Sequence, residues 1–246
     1  QIINKIFYGK IFYNFLFDKK FEKYDLLFKK LKNILELNEN LIFLGRARTG
    51  IYLAVKQFLN KEKPKVLMSP FTIPDVINMV KCAGGTPFFL DFDAYSTFIN
   101  IEELNQVLEK KECSVMILTH YNINEKNYER ISNLCKKYDV SLVEDCAISL
   151  GGKANKLPVG KLSDAAIFSF SAFKFLNFFY GGLIVFKKES NYEKIKNELK
   201  NWKKLSLIDY LEPIINTLKF QILTSKLFYT LISKIFYLFF FYFPSN

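Results

Sequence analysis

Apolar residues fall into two kinds of run along this chain. Short continuous runs have the length of buried strands: Leu41-Ile-Phe-Leu44, Lys65-Val-Leu-Met-Ser69, Thr86-Pro-Phe-Phe-Leu-Asp91, Val115-Met-Ile-Leu-Thr119, Val140-Ser-Leu-Val-Glu-Asp145 and Ala165-Ala-Ile-Phe168. Between several of them the spacing predicts helices, over about Thr49–Leu59, Ile73–Ala83 and Asn127–Lys137, with Gly84-Gly85 closing the second. Strands alternating with helices in this way predict an α/β domain with a largely parallel sheet. Ligands gather at the carboxyl ends of such strands, so Ser69, Thr119, Asp145 and Ser169 are expected to converge.

The two ends of the chain read differently. Residues 1–20 carry aromatic clusters broken by Lys5, Gly9, Lys10 and Asn14, which suits an irregular arm or short helix. From Phe21 to Leu37, apolar residues recur near helical spacing with lysines between them, the pattern of an amphipathic surface helix. After Glu189 a charged helix is expected over residues 192–206, and Leu211 to Phe243 is strongly apolar and aromatic. Lys226, Thr230, Ser233 and Lys234 share one helical stripe, which favours a helix lying on a protein or membrane surface over a span. The expected organisation is a helical arm over 1–40, a ligand-binding domain over 41–190 and a helical, aromatic-rich segment over 191–246.

Composition narrows the function classes. The 246 residues are 50% hydrophobic and carry a net charge of +11, almost wholly from lysine, since only Arg46, Arg48 and Arg130 are arginines. No zinc-finger or RNA-binding signature accompanies that charge, so no nucleic-acid partner is expected. A basic surface suits phosphorylated substrates or anionic lipid headgroups. Cys82, Cys113, Cys135 and Cys146 lie far apart and His120 is the only histidine, so no metal site is expected and free thiols in a reducing compartment are the plain reading. No secretory signal is read at the front.

The chemistry centres on Phe168-Ser-Phe-Ser-Ala-Phe-Lys174, followed by Tyr180-Gly181-Gly182, and on the strand ending at Asp145. A lysine and an aspartate at the ends of neighbouring strands can hold pyridoxal 5'-phosphate (PLP), the lysine as a Schiff base and the carboxylate against the pyridine nitrogen. Gly45-Arg-Ala-Arg-Thr49-Gly50 is a strand–loop–helix entry that points backbone amides at one spot, which suits a phosphate; the alternative is an ordinary helix start with two surface arginines.

Gly45-Arg-Ala-Arg-Thr-Gly-Ile-Tyr-Leu-Ala, Ser69-Pro-Phe-Thr-Ile-Pro, Gly84-Gly-Thr-Pro-Phe-Phe-Leu-Asp-Phe-Asp93, Val143-Glu-Asp-Cys-Ala147 and Phe168-Ser-Phe-x-x-x-Lys174 occur in one order. From about Leu41 to Lys188 that series resembles the DegT/StrS-type sugar aminotransferases, PLP enzymes of the aspartate-aminotransferase fold. The resemblance implies a fold-type I large domain with a mostly parallel sheet flanked by helices. It implies Lys174 as the Schiff-base lysine and proton-transferring base, with its pKa lowered by Phe173, Phe175 and Phe178. It also implies Asp145 as the partner of the pyridine nitrogen, and Ser169 with Arg48, Thr49 and Gly50 as the phosphate-binding set. Thr72 would approach the cofactor, and His120 matches a position that touches substrate or serves the structure.

By the same resemblance the substrate is a nucleotide-linked keto sugar and the amino donor glutamate. The enzyme would be a cytoplasmic homodimer making amino sugars for surface polysaccharide. The family's sugar dehydratases carry histidine in place of the lysine, so Lys174 counts against that reaction. The chain departs from the family at Ile148, Ile73 and Tyr180, and the family's smaller second domain has no match after Ser190. A reading of a different class is a shortened, non-catalytic relative that binds a partner or the inner face of a membrane through residues 220–243.

Overall fold

The computed structural model describes residues 31–33, 35–36, 40–91, 99–121, 127–171, 174, 176, 181–202 and 207–242. The aromatic arm expected over 1–20 lies outside them, as does most of the amphipathic helix expected over 21–37. Of the latter, residues 31–33 and 35 are helical, and Leu31 and Leu35 are buried. The chain divides into two compact units, residues 1–202 and residues 203–246.

The first unit is built on a seven-stranded sheet. Its strands are β1 (Leu41–Leu44), β2 (Lys65–Met68), β3 (Thr86–Phe89), β4 (Cys113–Thr119), β5 (Ser141–Asp145), β8 (Ala165–Ser169) and β9 (Gly182–Phe186), in the spatial order β1-β9-β8-β5-β4-β2-β3. A two-stranded hairpin, β6 (Lys153–Ala154) and β7 (Leu157–Pro158), lies in the β5–β8 connection. Helices α1 (Ala47–Phe58), α2 (Pro74–Cys82), α3 (Ile101–Glu109), α4 (Tyr128–Lys137) and α5 (Glu189–Leu199) alternate with the strands. So α5, grouped by the sequence reading with the C-terminal segment, falls in the first unit.

Strands β8, β5, β4, β2 and β3 are mutually parallel, and β9 runs antiparallel between β8 and β1. Because β1 is antiparallel to β9 in turn, it points the same way as the parallel group. Six carboxyl ends therefore face one edge of the sheet, and β9 begins there.

The sheet is covered on both faces, which is why its strands read as continuous apolar runs. Side chains alternate along each strand. Met116, Leu118 and Leu142 pack with Leu104 and Leu108 of α3 and with Tyr128, Ile131 and Cys135 of α4. Val115, Ile117 and Val143 pack on the other face with Leu53, Ala54 and Val55 of α1 and Val76 and Val80 of α2.

Local signals explain the helix ends. Asn100 caps α3, its side-chain oxygen accepting from the amides of Glu102 (3.0 Å) and Glu103 (3.2 Å). Beyond α2, Gly84 takes φ +88°, the Gly84 amide donates to Lys81 O (2.9 Å) and the Gly85 amide to Val80 O (3.0 Å). That pair of bonds closes a helix through a left-handed residue, for which glycine has no steric penalty.

The second unit contains α6 (Leu207–Leu223) and α7 (Lys226–Tyr242). Ser225 caps α7 by accepting from the Phe228 amide at 3.3 Å. Among the described residues, no helix is long and apolar enough to cross a membrane.

Candidate active site

Register places the expected residues along one edge. Asp145 ends β5 and pairs with Thr119 at the end of β4; Ser169 ends β8 and pairs with Gly182 at the start of β9. Gly182 also pairs with Leu44, the last residue of β1, and Arg46 bridges to Gly181. The chain then turns directly into α1, so the amino end of that helix lies beside Ser169. Ser69 sits just past the end of β2, where its hydroxyl accepts from the Phe71 amide at 2.9 Å.

The closeness of α1 to the sheet depends on two glycines. A Cβ on Gly182 would lie 2.5 Å from the Ala47 nitrogen and 2.6 Å from its Cα, so only glycine lets the first turn come so near. A Cβ on Gly50 would lie 3.1 Å from Ile167 Cγ1. Gly50 is buried by this packing. Arg46 precedes α1 in an extended conformation and makes no side-chain cap, and the first turn carries no acidic residue. An uncapped helix start beside a buried serine hydroxyl is a seat for an anion.

Thr49 is half-buried in the first turn of α1. The Arg48 side chain pairs with Asp75, its Nη1 2.7 Å from Oδ2, in a surface pair joining α1 to α2. Thr72 is half-buried in the turn before α2, its amide donating to Pro70 O at 3.0 Å.

Asp145 is 7% exposed and accepts from the Ala147 amide at 3.1 Å. Burial pushes its carboxyl above the usual range, opposed by that amide and by the charges of Lys174 and His120. Lys174 is therefore near enough to act on Asp145 through its charge. It is half-buried, its amide donates to Ser171 O at 3.2 Å, and the Ser171 hydroxyl lies 3.2 Å from that of Ser169. Phe173, Phe175, Phe178 and Tyr180 lie outside the described residues.

His120 is placed differently from a substrate-touching residue. Its ring is buried, with Nε2 2.6 Å from Glu144 Oε2 and its plane edge-on to Tyr128 at 5.4 Å. Glu144 also accepts from the Tyr128 hydroxyl at 2.8 and 2.9 Å and from the Gly160 amide at 2.6 Å. Burial, then the Glu144 charge, holds the Tyr128 phenol far above its ordinary pKa, so it stays a donor. The His120 ring is thus committed to the packed face of β5, and the structural role is the one its geometry supports. Sequence reading missed Glu144 and Tyr128. The signal was an acid inside the apolar run Leu142-Val-Glu144, which needs a buried partner.

His120, Glu144 and Cys146 bring one possible metal-ligand atom each within 4.8 Å of one another. The oxygens of Glu144 are already engaged by three hydrogen-bonding groups, and burial pushes the Cys146 thiol well up, against the thiolate a metal needs. This set is a hydrogen-bonded cluster rather than a metal centre.

Around the strand ends, Phe71, Ile73, Tyr121 and Ile148 are exposed. Ile73 and Ile148, two of the departures noted in the sequence, therefore stand on an open apolar rim.

The sequence profile of the DegT/DnrJ/EryC1/StrS aminotransferase family matches residues 19–203. The UDP-4-amino-4,6-dideoxy-N-acetyl-beta-L-altrosamine transaminase of Campylobacter jejuni is 30% identical over 155 residues, 62% of this chain and 41% of that protein. The GDP-perosamine synthase of Vibrio cholerae is 25% identical over 142 residues, 58% of this chain and 38% of that one. The structure of Helicobacter pylori PseC, an aminotransferase involved in the biosynthesis of pseudoaminic acid, superposes with a TM-score of 0.65 at 22% identity, covering 74% of this chain and 50% of PseC. The chain thus spans about two fifths of the length of these curated relatives. The fold is the fold-type I architecture expected from the sequence.

Proposed function

The chain belongs to the DegT/DnrJ/EryC1/StrS aminotransferase family, and from that premise we propose that residues 41–190 form the PLP-binding part of an enzyme that aminates a nucleotide-linked keto sugar. The observation that carries this reading is the arrangement, along one sheet edge, of a buried carboxylate at the end of β5, a lysine five residues past the end of β8, and an uncapped helix start beside a buried serine. These groups fit the three chemically distinct parts of the cofactor.

When bound, PLP supplies a protonated ring that withdraws electrons from a carbon losing its proton. The rest falls to the chain's own residues. Asp145 would face the ring nitrogen and keep its proton in place, and that cationic partner would return the buried carboxyl to its charged form. Ser169, the α1 amides and Thr49 would hold the phosphate. Lys174 would carry the cofactor and, through Nζ, take and return the proton that moves during amino transfer. Gly50 and the Arg48–Asp75 pair act indirectly, by fixing α1 against the sheet and α2.

The names of the relatives support a 6-deoxy sugar linked to UDP or GDP and aminated at carbon 4; we read the donor as glutamate and the product as an amino sugar for surface polysaccharide. We place the enzyme in the cytoplasm, where the free thiols found in the structure persist, and read it as a homodimer.

The test is amino transfer itself. The purified chain, given PLP, isotopically labelled glutamate and a UDP-linked 4-keto-6-deoxyhexose, should deliver labelled nitrogen to the sugar, and Lys174→Ala should not. Cofactor binding with no labelled sugar from either UDP- or GDP-linked substrates would overturn the substrate assignment.

A further inference from the structure

Among the described residues, both helices of the second unit carry exposed apolar side chains. On α6, Ile208, Leu211, Ile215, Leu218 and Ile222 alternate at spacings of three and four and so form one stripe, and all five are exposed, Ile208 to 76%. On α7, Tyr229, Leu231, Ile232, Ile235 and Tyr237 are exposed as well. An apolar surface spread over two helices exceeds what a soluble surface ordinarily leaves bare.

The charges on these helices bear on what covers that surface: α6 carries Asp209, Glu212 and Lys219, and the excess of positive charge lies on α7. The segment Lys226–Tyr242 contains no acidic residue, and its two lysines, Lys226 and Lys234, share a stripe with Thr230 and Ser233. The hydroxyls turn back onto the helices: Thr224 Oγ1 donates to Phe220 O (2.8 Å), Thr230 Oγ1 to Lys226 O (2.7 Å) and Ser233 Oγ to Thr230 O (3.0 Å). Hydroxyls satisfied in this way ask nothing of their surroundings, as a low-dielectric setting requires. Each helix has 17 residues, about 25 Å, so each suits lying in a bilayer surface rather than crossing it.

We infer that residues 207–242 lie in the headgroup–acyl boundary of an anionic lipid bilayer. The leucines and isoleucines enter the acyl region, while Lys219, Lys226 and Lys234 meet lipid phosphates. A second copy of the chain zipped along the α6 stripe is the rival occupant; the lysines of α7, with no acid on that helix, favour the lipid surface.

Flotation of the full chain with vesicles tests this. Binding to phosphatidylcholine vesicles containing a quarter phosphatidylglycerol should exceed binding to phosphatidylcholine alone by about tenfold, from Lys226 and Lys234, which no acid on α7 offsets. Ile232→Glu with Ile235→Glu should lower binding to the anionic vesicles at least about tenfold, while the fluorescence of Trp202, in the first unit, keeps its urea midpoint. Lys174→Ala should float like the parent chain, so loss of the cofactor reading would leave this one standing. No flotation with either vesicle, or flotation untouched by the double substitution, overturns the inference. So does a dimer dissolved by Ile215→Glu in a chain that ignores vesicles, which would assign the stripe to a second copy.

Discussion

His120 Nε2 and Glu144 Oε2 lie 2.6 Å apart with both side chains sealed from solvent, while among the described residues the carboxylate of the next residue, Asp145, accepts from the Ala147 amide at 3.1 Å. Alternation along β5 explains the contrast. Glu144 faces the α4 side, where His120, Tyr128 and Gly160 use its oxygens. Asp145 follows the other face and stands at the strand end with capacity left for a ligand. One short stretch thus supplies a carboxylate engaged in packing and one that suits the proposed cofactor site.

Glu144→Gln should therefore cost stability before it costs chemistry. It weakens a buried network by about 1–3 kcal/mol in urea unfolding, because one oxygen becomes a donor that faces other donors. Cofactor stoichiometry at low denaturant should be kept. Unchanged stability with lost amino transfer would instead make this cluster part of the substrate site.

For Asp145 the sign is opposite. Its carboxyl is raised in the folded, cofactor-free protein, chiefly by burial, so the stability it contributes is full below its unfolded pKa of about 4 and is lost as pH rises through the folded value. Asp145→Asn removes that loss. In urea titrations of cofactor-free protein the variant should gain on the parent as pH rises from about 4 and then keep a constant lead. It should bind PLP more weakly throughout. A lead that shrinks with rising pH would contradict the burial account.

Gly182→Ala drives a methyl into the Ala47 backbone, which has no rotamer with which to yield. The first turn of α1 must back away from Ser169. We expect a loss of about 1–3 kcal/mol in stability and a weaker hold on PLP, with inorganic phosphate a correspondingly poorer competitor. A variant that loses stability yet binds PLP and phosphate as before would separate the helix start from the phosphate seat.

The inner parallel strands β2, β4, β5 and β8 were legible because each is buried on both faces and so leaves a largely apolar run, β4 most clearly. Strand β9 was not, since nothing in Gly182–Phe186 encodes that its partners are β8 on one side and β1 on the other. Helix α3, with its Asn100 cap, also went unread. Asp145 and Ser169 stood out because they end strands, and Lys174 because it follows one of those ends closely. Gly182 registered only as half of a glycine pair, and its reason is a backbone approach visible only in three dimensions. Arg48 was read as part of a phosphate loop, and its pairing with Asp75 depends on a helix–helix contact that no local motif carries.

The most direct measurement is borohydride reduction of the purified chain after incubation with PLP, followed by peptide mass analysis. The account predicts a yellow protein whose colour bleaches on reduction, with one cofactor fixed on the peptide carrying Lys174 and none in Lys174→Ala. A colourless protein, or label scattered over surface lysines and undiminished in Lys174→Ala, would contradict it.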